Sequence, residues 1–350
     1  MTIRVGLVGF GLGGAVFHAP LIEATPELSL DAIVTTHPER VARARERYPA
    51  ARVVPDVESL LSSADGLDLV VVATPNRSHV PIALGAVEAG MHVVMDKPMA
   101  PTSAEARRLA AAAAERGALL SVFQNRRWDG DFLTVRKLLD DGALGRVVRF
   151  ESRFERWDPA LGGGWRERGE PEEGGGMLLD LGSHLVDQAI RLFGPPTSVY
   201  AEVERRRPGA EADDDGFVAL EHADGVRSHL WMSLVAGALG LRFRVLGLGG
   251  AFEKHGLDPQ ERQLQEGMAP GDEGYGVEPH ERWGAIVRGS ERERVPTERG
   301  DYPRFYEQVA GAIERGGPPP VPAEDAILGL EVLEAARRSA ETGTVVRLAI

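Results

Sequence analysis

The chain has no cysteine, an absence that removes disulfides, thiolate nucleophiles and cysteine-held metal sites together and fits a reducing, cytoplasmic location. It has no long apolar run either. No stretch approaches the ~20 apolar residues of a membrane-spanning helix, and the alanine tract Ala110–Ala114 sits between Arg107, Arg108, Glu115 and Arg116, as in a helix surrounded by water. The N-terminal residues carry one arginine and no apolar leader ahead of a cleavage site, so no targeting segment is expected. Basic charge is the scarcer sign: 40 lysines and arginines stand against 53 aspartates and glutamates, a formal net charge of -13. No nucleic-acid or membrane partner is therefore expected, and a small molecule is. The nine histidines are scattered, with no His-Glu-x-x-His or comparable ligand spacing, so no metal site is expected.

What the chain has in plenty is length and glycine. At 350 residues it exceeds one ordinary compact core, and two domains are expected. In the first third, apolar runs at Ile3–Val8, Leu28–Val34, Leu67–Ala73, His92–Met95 and Leu119–Phe123 alternate with helical periodicity. Helices are predicted over Pro38–Tyr48, Val57–Ser62, Ser78–Ala89 and Ser103–Arg116, the last capped by Thr102 or Ser103. This is the rhythm of a doubly wound parallel sheet. After Gln124 a helix is predicted over Asp131–Asp140. Two-residue alternation follows near Arg146–Glu155, Ser198–Arg206, Gly216–Glu221, Val226–Ser233 and Leu241–Leu246. That pattern predicts an open, mostly antiparallel sheet with one wet face. Pro159–Gly176 and Asp258–Pro279 read as polar loops, Tyr302–Glu314 and Ala323–Thr342 as helices, and Val345–Ile350 as a short strand. The expected fold class is α/β plus α+β: a Rossmann-type sheet over residues 1–123 and a second domain over 124–350, whose helices from about Tyr302 pack back on the first.

The strand Ile3–Val8 runs straight into Gly9, Gly11 and Gly14, at G-x-G-x-x-G spacing with Leu12 inside the turn. In so glycine-rich a chain the bare spacing would arise by chance roughly half a time, so its position carries the weight. The glycines follow a buried-type strand, and a helix is predicted from Ala15 to Ala24. Gly9 would permit the tight turn, Gly11 would let backbone meet a pyrophosphate, and Gly14 would let the helix pack on the strand. The expected ligand is a dinucleotide. At the end of the second strand stand Thr35, Thr36 and then Arg40, with no carboxylate at the tip, since Asp31 comes too early. An acidic residue there suits NAD, whereas small polar or basic groups suit the 2′-phosphate of NADP. NADP(H) is therefore the expected cofactor and NAD(H) the second choice.

Three more groups fall where a parallel sheet places ligands, at the carboxyl ends of strands. Thr74, Pro75 and Asn76 end the third apolar run, with His79 opening the next helix. Asp96, Lys97 and Pro98 end the fourth, and Pro98 holds Lys97 in extended backbone. The stretch Gly174–His184 then sets Asp180 and His184 four residues apart, with Asp187 three further, on one face of a predicted helix. Their neighbours Met177, Leu181, Leu185 and Val186 are apolar, so these groups would border a buried surface where pKa values can be tuned. Each has a plainer reading: a turn, a surface lysine, a hydrogen-bonded core histidine.

Taken in order, Gly9-Phe-Gly-Leu-Gly-Gly-Ala-Val-Phe-His-Ala-Pro20, Ala73-Thr-Pro-Asn76, Asp96-Lys-Pro98 and Asp180-Leu-Gly-Ser-His184 resemble the glucose-fructose oxidoreductase and inositol dehydrogenase family, Gfo/Idh/MocA. Phe123–Asp129 and Gly175–Gln188 resemble its branch of NADP-dependent scyllo-inositol dehydrogenases. The resemblance implies hydride transfer between nicotinamide C4 and a hydroxyl or keto carbon of a polyol, inosose or sugar. It makes Lys97 the lysine of the Glu-Lys-Pro motif, with Asp96 in place of the usual Glu. His184 becomes the general acid or base, and Asp180 a group that orients it or binds a neighbouring hydroxyl. Asn125, Arg127, Trp165 and Arg166 are further candidates for the cofactor or substrate wall. The resemblance also implies a homodimer or homotetramer built on the open sheet. Two other outcomes stay open: a cofactor-sensing regulator without catalysis, and an NAD-dependent glycosidase. Retention of Lys97, Asp180 and His184 argues against the regulator.

Overall fold

The structure, a computed structural model, describes residues 2–62, 66–164, Glu167, Gly169 and 174–349. The chain divides into two compact units, the first gathering residues 1–125, 260–275 and 301–327, the second residues 126–259, 276–300 and 328–350.

The first unit is wound from β1 (Ile3–Val8), α1 (Ala19–Glu23), β2 (Leu28–Val34), α2 (Pro38–Arg47), β3 (Arg52–Val54) and α3 (Val57–Ser62). It continues with β4 (Leu69–Val72), α4 (His79–Glu88), β5 (His92–Asp96), α5 (Ser103–Glu115) and β6 (Leu120–Phe123). The six strands are parallel, in the order β3-β2-β1-β4-β5-β6. Central strands such as Leu69–Val72 are apolar throughout because helices cover both faces, and every residue of β4 is buried. The order reverses between β1 and β4, which opens a crevice at the carboxyl ends of those strands. Thr102 is the residue that caps α5: its hydroxyl accepts the Glu105 amide at 3.2 Å and donates to the Glu105 carboxylate at 3.0 Å.

The second unit holds α6 (Gly130–Asp140), β7 (Val147–Glu155), α7 (Met177–Asp180), α8 (Gly182–Phe193), β8 (Pro196–Glu204), β9 (Asp215–His222), β10 (Arg227–Ser233), β11 (Phe243–Gly247) and β12 (Gly250–Lys254). The chain then gives α9 (Gln260–Gln265) to the first unit, adds the hairpin β13 (Gly284–Arg288) and β14 (Glu291–Val295), and gives α10 (Pro303–Arg315) to the first unit as well. It ends with α11 (Ala323–Thr342), which begins in the first unit and ends in the second, and β15 (Val346–Arg347). Nine strands form one open sheet, β14-β13-β12-β11-β7-β10-β9-β8-β15, antiparallel except for the parallel pair β7 and β10. Phe150, Phe154, Leu230, Met232, Phe243 and Val245 fill its covered face, where α8 lies over β7 and β10. The opposite face carries Arg149, Glu151 and Arg153 from β7, with the Arg153 guanidinium 3.9 Å above the Trp231 ring.

Two expectations need correction. Asp258–Pro279 is not simply a polar loop: α9 buries Gln260 and Leu264, and Tyr275 is only 1% exposed. The Gln260 amide oxygen accepts the Tyr302 N–H at 2.8 Å, at the start of α10, so a polar side chain is what ties the segment down. Nor do Asp180 and His184 share one unbroken helix, because the chain is jointed at Leu181, between α7 and α8.

Candidate active site

In the first unit the turn after β1 is defined by what its glycines exclude. Gly9 adopts φ +98°, and a Cβ there would stand 2.4 Å from the Ala73 carbonyl oxygen at the end of β4. A Cβ on Gly14 would stand 1.9 Å from the Gly9 oxygen, so Gly14 serves the turn itself as well as the packing of the helix. Above Gly11 the nearest group is the Arg40 guanidinium, 3.7 Å from a notional Cβ. Leu12 is 54% exposed beside it. The chain then winds as a wide π-type turn, Gly13–His18, before tightening into α1.

At the end of β2, Thr35 is buried and donates its N–H to the Val54 oxygen at 3.2 Å, while Thr36 and Arg40 are exposed. Arg43, which no local motif singles out, lies 5.3 Å over the Phe10 ring and donates to the Phe10 oxygen at 3.4 Å. Two guanidinium groups thus flank the glycine turn.

The turn after β4 holds Thr74, Pro75 and Asn76. The Ser78 hydroxyl lies 2.8 Å from both the Thr74 hydroxyl and the Pro75 oxygen, and Asn76 is buried. The His79 ring is buried and bridges two turns: Nε2 lies 2.8 Å from the Thr74 oxygen and Nδ1 2.9 Å from the Pro98 oxygen. Its ring acts on backbone that frames the crevice. Burial pushes the His79 pKa down, and the charge of Asp96 and the two carbonyls oppose this without overcoming it. Lys97 is half-buried at the end of β5, joined to Pro98 by a cis peptide. Its N–H donates to Asp96 Oδ1 at 2.8 Å. Burial works to raise the Asp96 carboxyl, but His18 first, then Lys97 and His79, outweigh it and hold the group below its ordinary range. Asn125, at the end of the first unit, is buried.

The second unit carries Asp180 and His184. Gly176, at φ +96°, starts α7, and the half-buried Asp213 carboxylate accepts the Leu178 N–H at 2.7 Å. A Cβ on Gly176 would lie 2.2 Å from Asp213 Oδ1, so glycine and carboxylate fit as a pair. Asp180 is half-buried at the end of α7. His184 is 5% exposed on α8, its ring nearly parallel to Phe154 at 24° with centroids 6.4 Å apart. The third member of the expected face, Asp187, is gripped by Arg127, with Nη2 at 2.6 Å and Nε at 2.9 Å. Arg127 thereby ties the turn that carries it to α8. Beside it, Gln188 donates to the Arg126 oxygen at 3.0 Å and accepts from Arg242 at 2.9 Å. Trp165 and Arg166 lie outside the described residues.

Residues 3–124 match the family model described as the oxidoreductase family's NAD-binding Rossmann fold, and residues 136–348 match that of its C-terminal alpha/beta domain. The uncharacterized oxidoreductase YdgJ of Escherichia coli K12 is 41% identical over 342 residues, covering 97% of each chain. The scyllo-inositol 2-dehydrogenase (NADP(+)) IolW of Bacillus subtilis is 37% identical over 351 residues, covering 99% of this chain and 96% of its own. Among solved structures, yvaA from Bacillus subtilis superposes with a TM-score of 0.93 at 36% identity, covering 99% of this chain and 98% of that one. A glycine-turn nucleotide fold followed by the matching C-terminal sheet leads to one assignment: the chain belongs to the Gfo/Idh/MocA oxidoreductase family.

Proposed function

We propose that the chain transfers a hydride between nicotinamide C4 and a hydroxyl or keto carbon of a cyclic polyol, inosose or sugar derivative, with NADP(H) preferred over NAD(H). The observation that carries this reading is the seat of Lys97. It follows β5 directly, at the carboxyl ends of the strands, with its amide tied to a carboxylate that also abuts Gly13 of the glycine turn. The turn suits a dinucleotide because Gly9 and Gly14 leave no room for a Cβ and Gly11 keeps its backbone open beside a guanidinium. Gly9, Gly11, Leu12 and Gly14 would hold the pyrophosphate. Thr35, Thr36 and Arg40 would hold the adenosine ribose, Arg40 supplying charge for a 2′-phosphate. Thr74, Pro75, Asn76 and Asn125 would line the nicotinamide end.

A nicotinamide cofactor held by these residues would supply or take up the hydride. The chain's own residues do the rest. The Lys97 ammonium stabilises negative charge developing on the substrate oxygen. His184 takes or returns the hydroxyl proton, and Asp180 orients that imidazole or binds a neighbouring hydroxyl. The likeness to IolW supports inositols as the substrate class and NADP as the cofactor. We further read the uncovered face of the nine-stranded sheet as the surface that pairs subunits into a homodimer or homotetramer, in a cytoplasmic enzyme. Light scattering that gave a stable monomer would contradict that assembly.

The test is a screen of inositols, aldoses and their keto forms with NADP(H) and NAD(H), following net change in reduced nicotinamide. Turnover of a polyol or its ketone with NADP(H) is the expected result. Sugar cleavage with no net nicotinamide change would favour the glycosidase instead.

A further inference from the structure

A line of polar groups runs behind Lys97, wholly within the first unit. The Tyr306 hydroxyl, on α10, lies 2.6 Å from His18 Nδ1. His18 Nε2 stands 3.7 Å from Asp96 Oδ2. The other oxygen of that carboxylate, Oδ1, accepts the Lys97 N–H at 2.8 Å. Tyr306 and His18 are both fully buried, and the Phe123 ring packs on His18 with centroids 4.4 Å apart.

Chemistry gives the line a direction. Burial, with the charge of Asp96 behind it, pushes the Tyr306 phenol well above its ordinary pKa, so it remains an O–H. A buried O–H left without an acceptor is costly, and among the described residues His18 Nδ1 is the partner within its reach. Nδ1 therefore accepts, and a neutral imidazole that accepts at Nδ1 carries its proton on Nε2, the nitrogen facing Asp96. The same carboxylate touches the cofactor segment directly, because a Cβ on Gly13 would lie 2.7 Å from Asp96 Oδ2. Gly13 and His18 are the two ends of one helical segment.

We propose that His18 and Tyr306 are positioning residues: they orient the Asp96 carboxylate so that it holds the Lys97 backbone against the glycine turn, joining the lysine to the cofactor-binding segment. The role given to Lys97 rests on the function proposed above. Both side chains are fully buried, and the role given to each is exerted through Asp96.

The test has one arm free of turnover and one that needs it. In the first, histidines are labelled with nitrogen-15 and their ring tautomers read by long-range proton–nitrogen NMR, His18 being assigned by its loss in His18→Gln. The intact protein should show His18 protonated on Nε2, and Tyr306→Phe should shift that resonance toward the Nδ1–H form or a mixture. In the second, NADP+-linked oxidation of scyllo-inositol should lose about fivefold in kcat in Tyr306→Phe, the kinetic equivalent of one neutral hydrogen bond, with KM for scyllo-inositol unchanged. An Nδ1-protonated His18 in the intact protein, or a Tyr306→Phe variant with an unaltered His18 spectrum, would overturn the proposal even if no polyol is turned over. An active enzyme whose Tyr306→Phe variant keeps full kcat would overturn it while leaving the proposed function standing.

Discussion

Arg127 and Asp187 form a buried, two-pronged ion pair, 2.6 Å and 2.9 Å across its two contacts, which fastens the turn carrying Arg126 and Arg127 to α8. The same helix carries His184, three residues before Asp187.

Removing one partner of a buried pair leaves the other charge uncompensated, which is costlier than never having had the pair. Arg127→Met should therefore lower stability by about 3–5 kcal/mol, read as a shift in the urea midpoint. A loss below about 1 kcal/mol, the range of an exposed pair, would show that the ion pair does not hold α8.

Gly14→Ala drives a Cβ into the Gly9 oxygen, 1.9 Å away, and must deform the turn. Titration of NADPH by fluorescence should show affinity reduced by about tenfold or more, or 1.4 kcal/mol. Gly90→Ala is the control. That glycine has φ +83° and open space around it, so its substitution strains the backbone and should cost stability without moving the Kd. Equal effects of the two variants on NADPH binding would contradict the role given to the turn.

Arg40→Ala separates the two cofactors. If its guanidinium meets the 2′-phosphate, kcat/KM with NADP+ falls by about 10- to 100-fold, the value of one hydrogen bond to a charged group, while the NAD+ value holds. A parallel fall with both cofactors would assign Arg40 to the turn rather than to the phosphate.

Asp213 gives a pH signature. Burial pushes its carboxyl up despite the Leu178 amide and the Arg337 charge. A carboxyl whose folded pKa exceeds its unfolded one binds its proton more tightly when folded. Its contribution to stability is full below the unfolded pKa and is lost as pH rises through the folded one. The stability of the parent protein relative to Asp213→Asn should therefore fall as pH rises from about 4 toward neutrality. Urea midpoints of the two proteins across that window supply the comparison, and a relative gain for the parent would mean that the carboxylate is stabilised rather than penalised by its site.

Much of the cofactor unit is legible in the sequence because its signals are local. β1 and β2 fall on the apolar runs Ile3–Val8 and Leu28–Val34 residue for residue, and Gly9 to Gly14 follow the first of them at once. β3 is three residues long and too brief to show a period. The hairpin partner Glu291–Val295 is an edge strand with four exposed residues, and an edge wet on both faces has no reason to alternate. The helix at Gln260 hides for a related reason, since its buried anchors are one glutamine and one leucine. At the candidate site, Lys97, Asp180 and His184 stand out through short motifs. Tyr306 and Asp213 do not, because each acts on a residue far along the chain, 288 positions away at His18 and 35 at Leu178. The Arg127 ion pair is hidden for the same cause: its partner Asp187 is 60 residues off, and nothing near it in sequence announces the pair.

Hydride transfer assisted by Lys97 and His184 is read out in the kcat of NADP+-linked scyllo-inositol oxidation by Lys97→Ala and His184→Ala, each checked for an unchanged fold. Loss of a positioned proton-transfer group or charge stabiliser should lower kcat by about 10²- to 10⁴-fold in each variant. A kcat near that of the parent in either variant would mean that the residue replaced takes no part in the transfer.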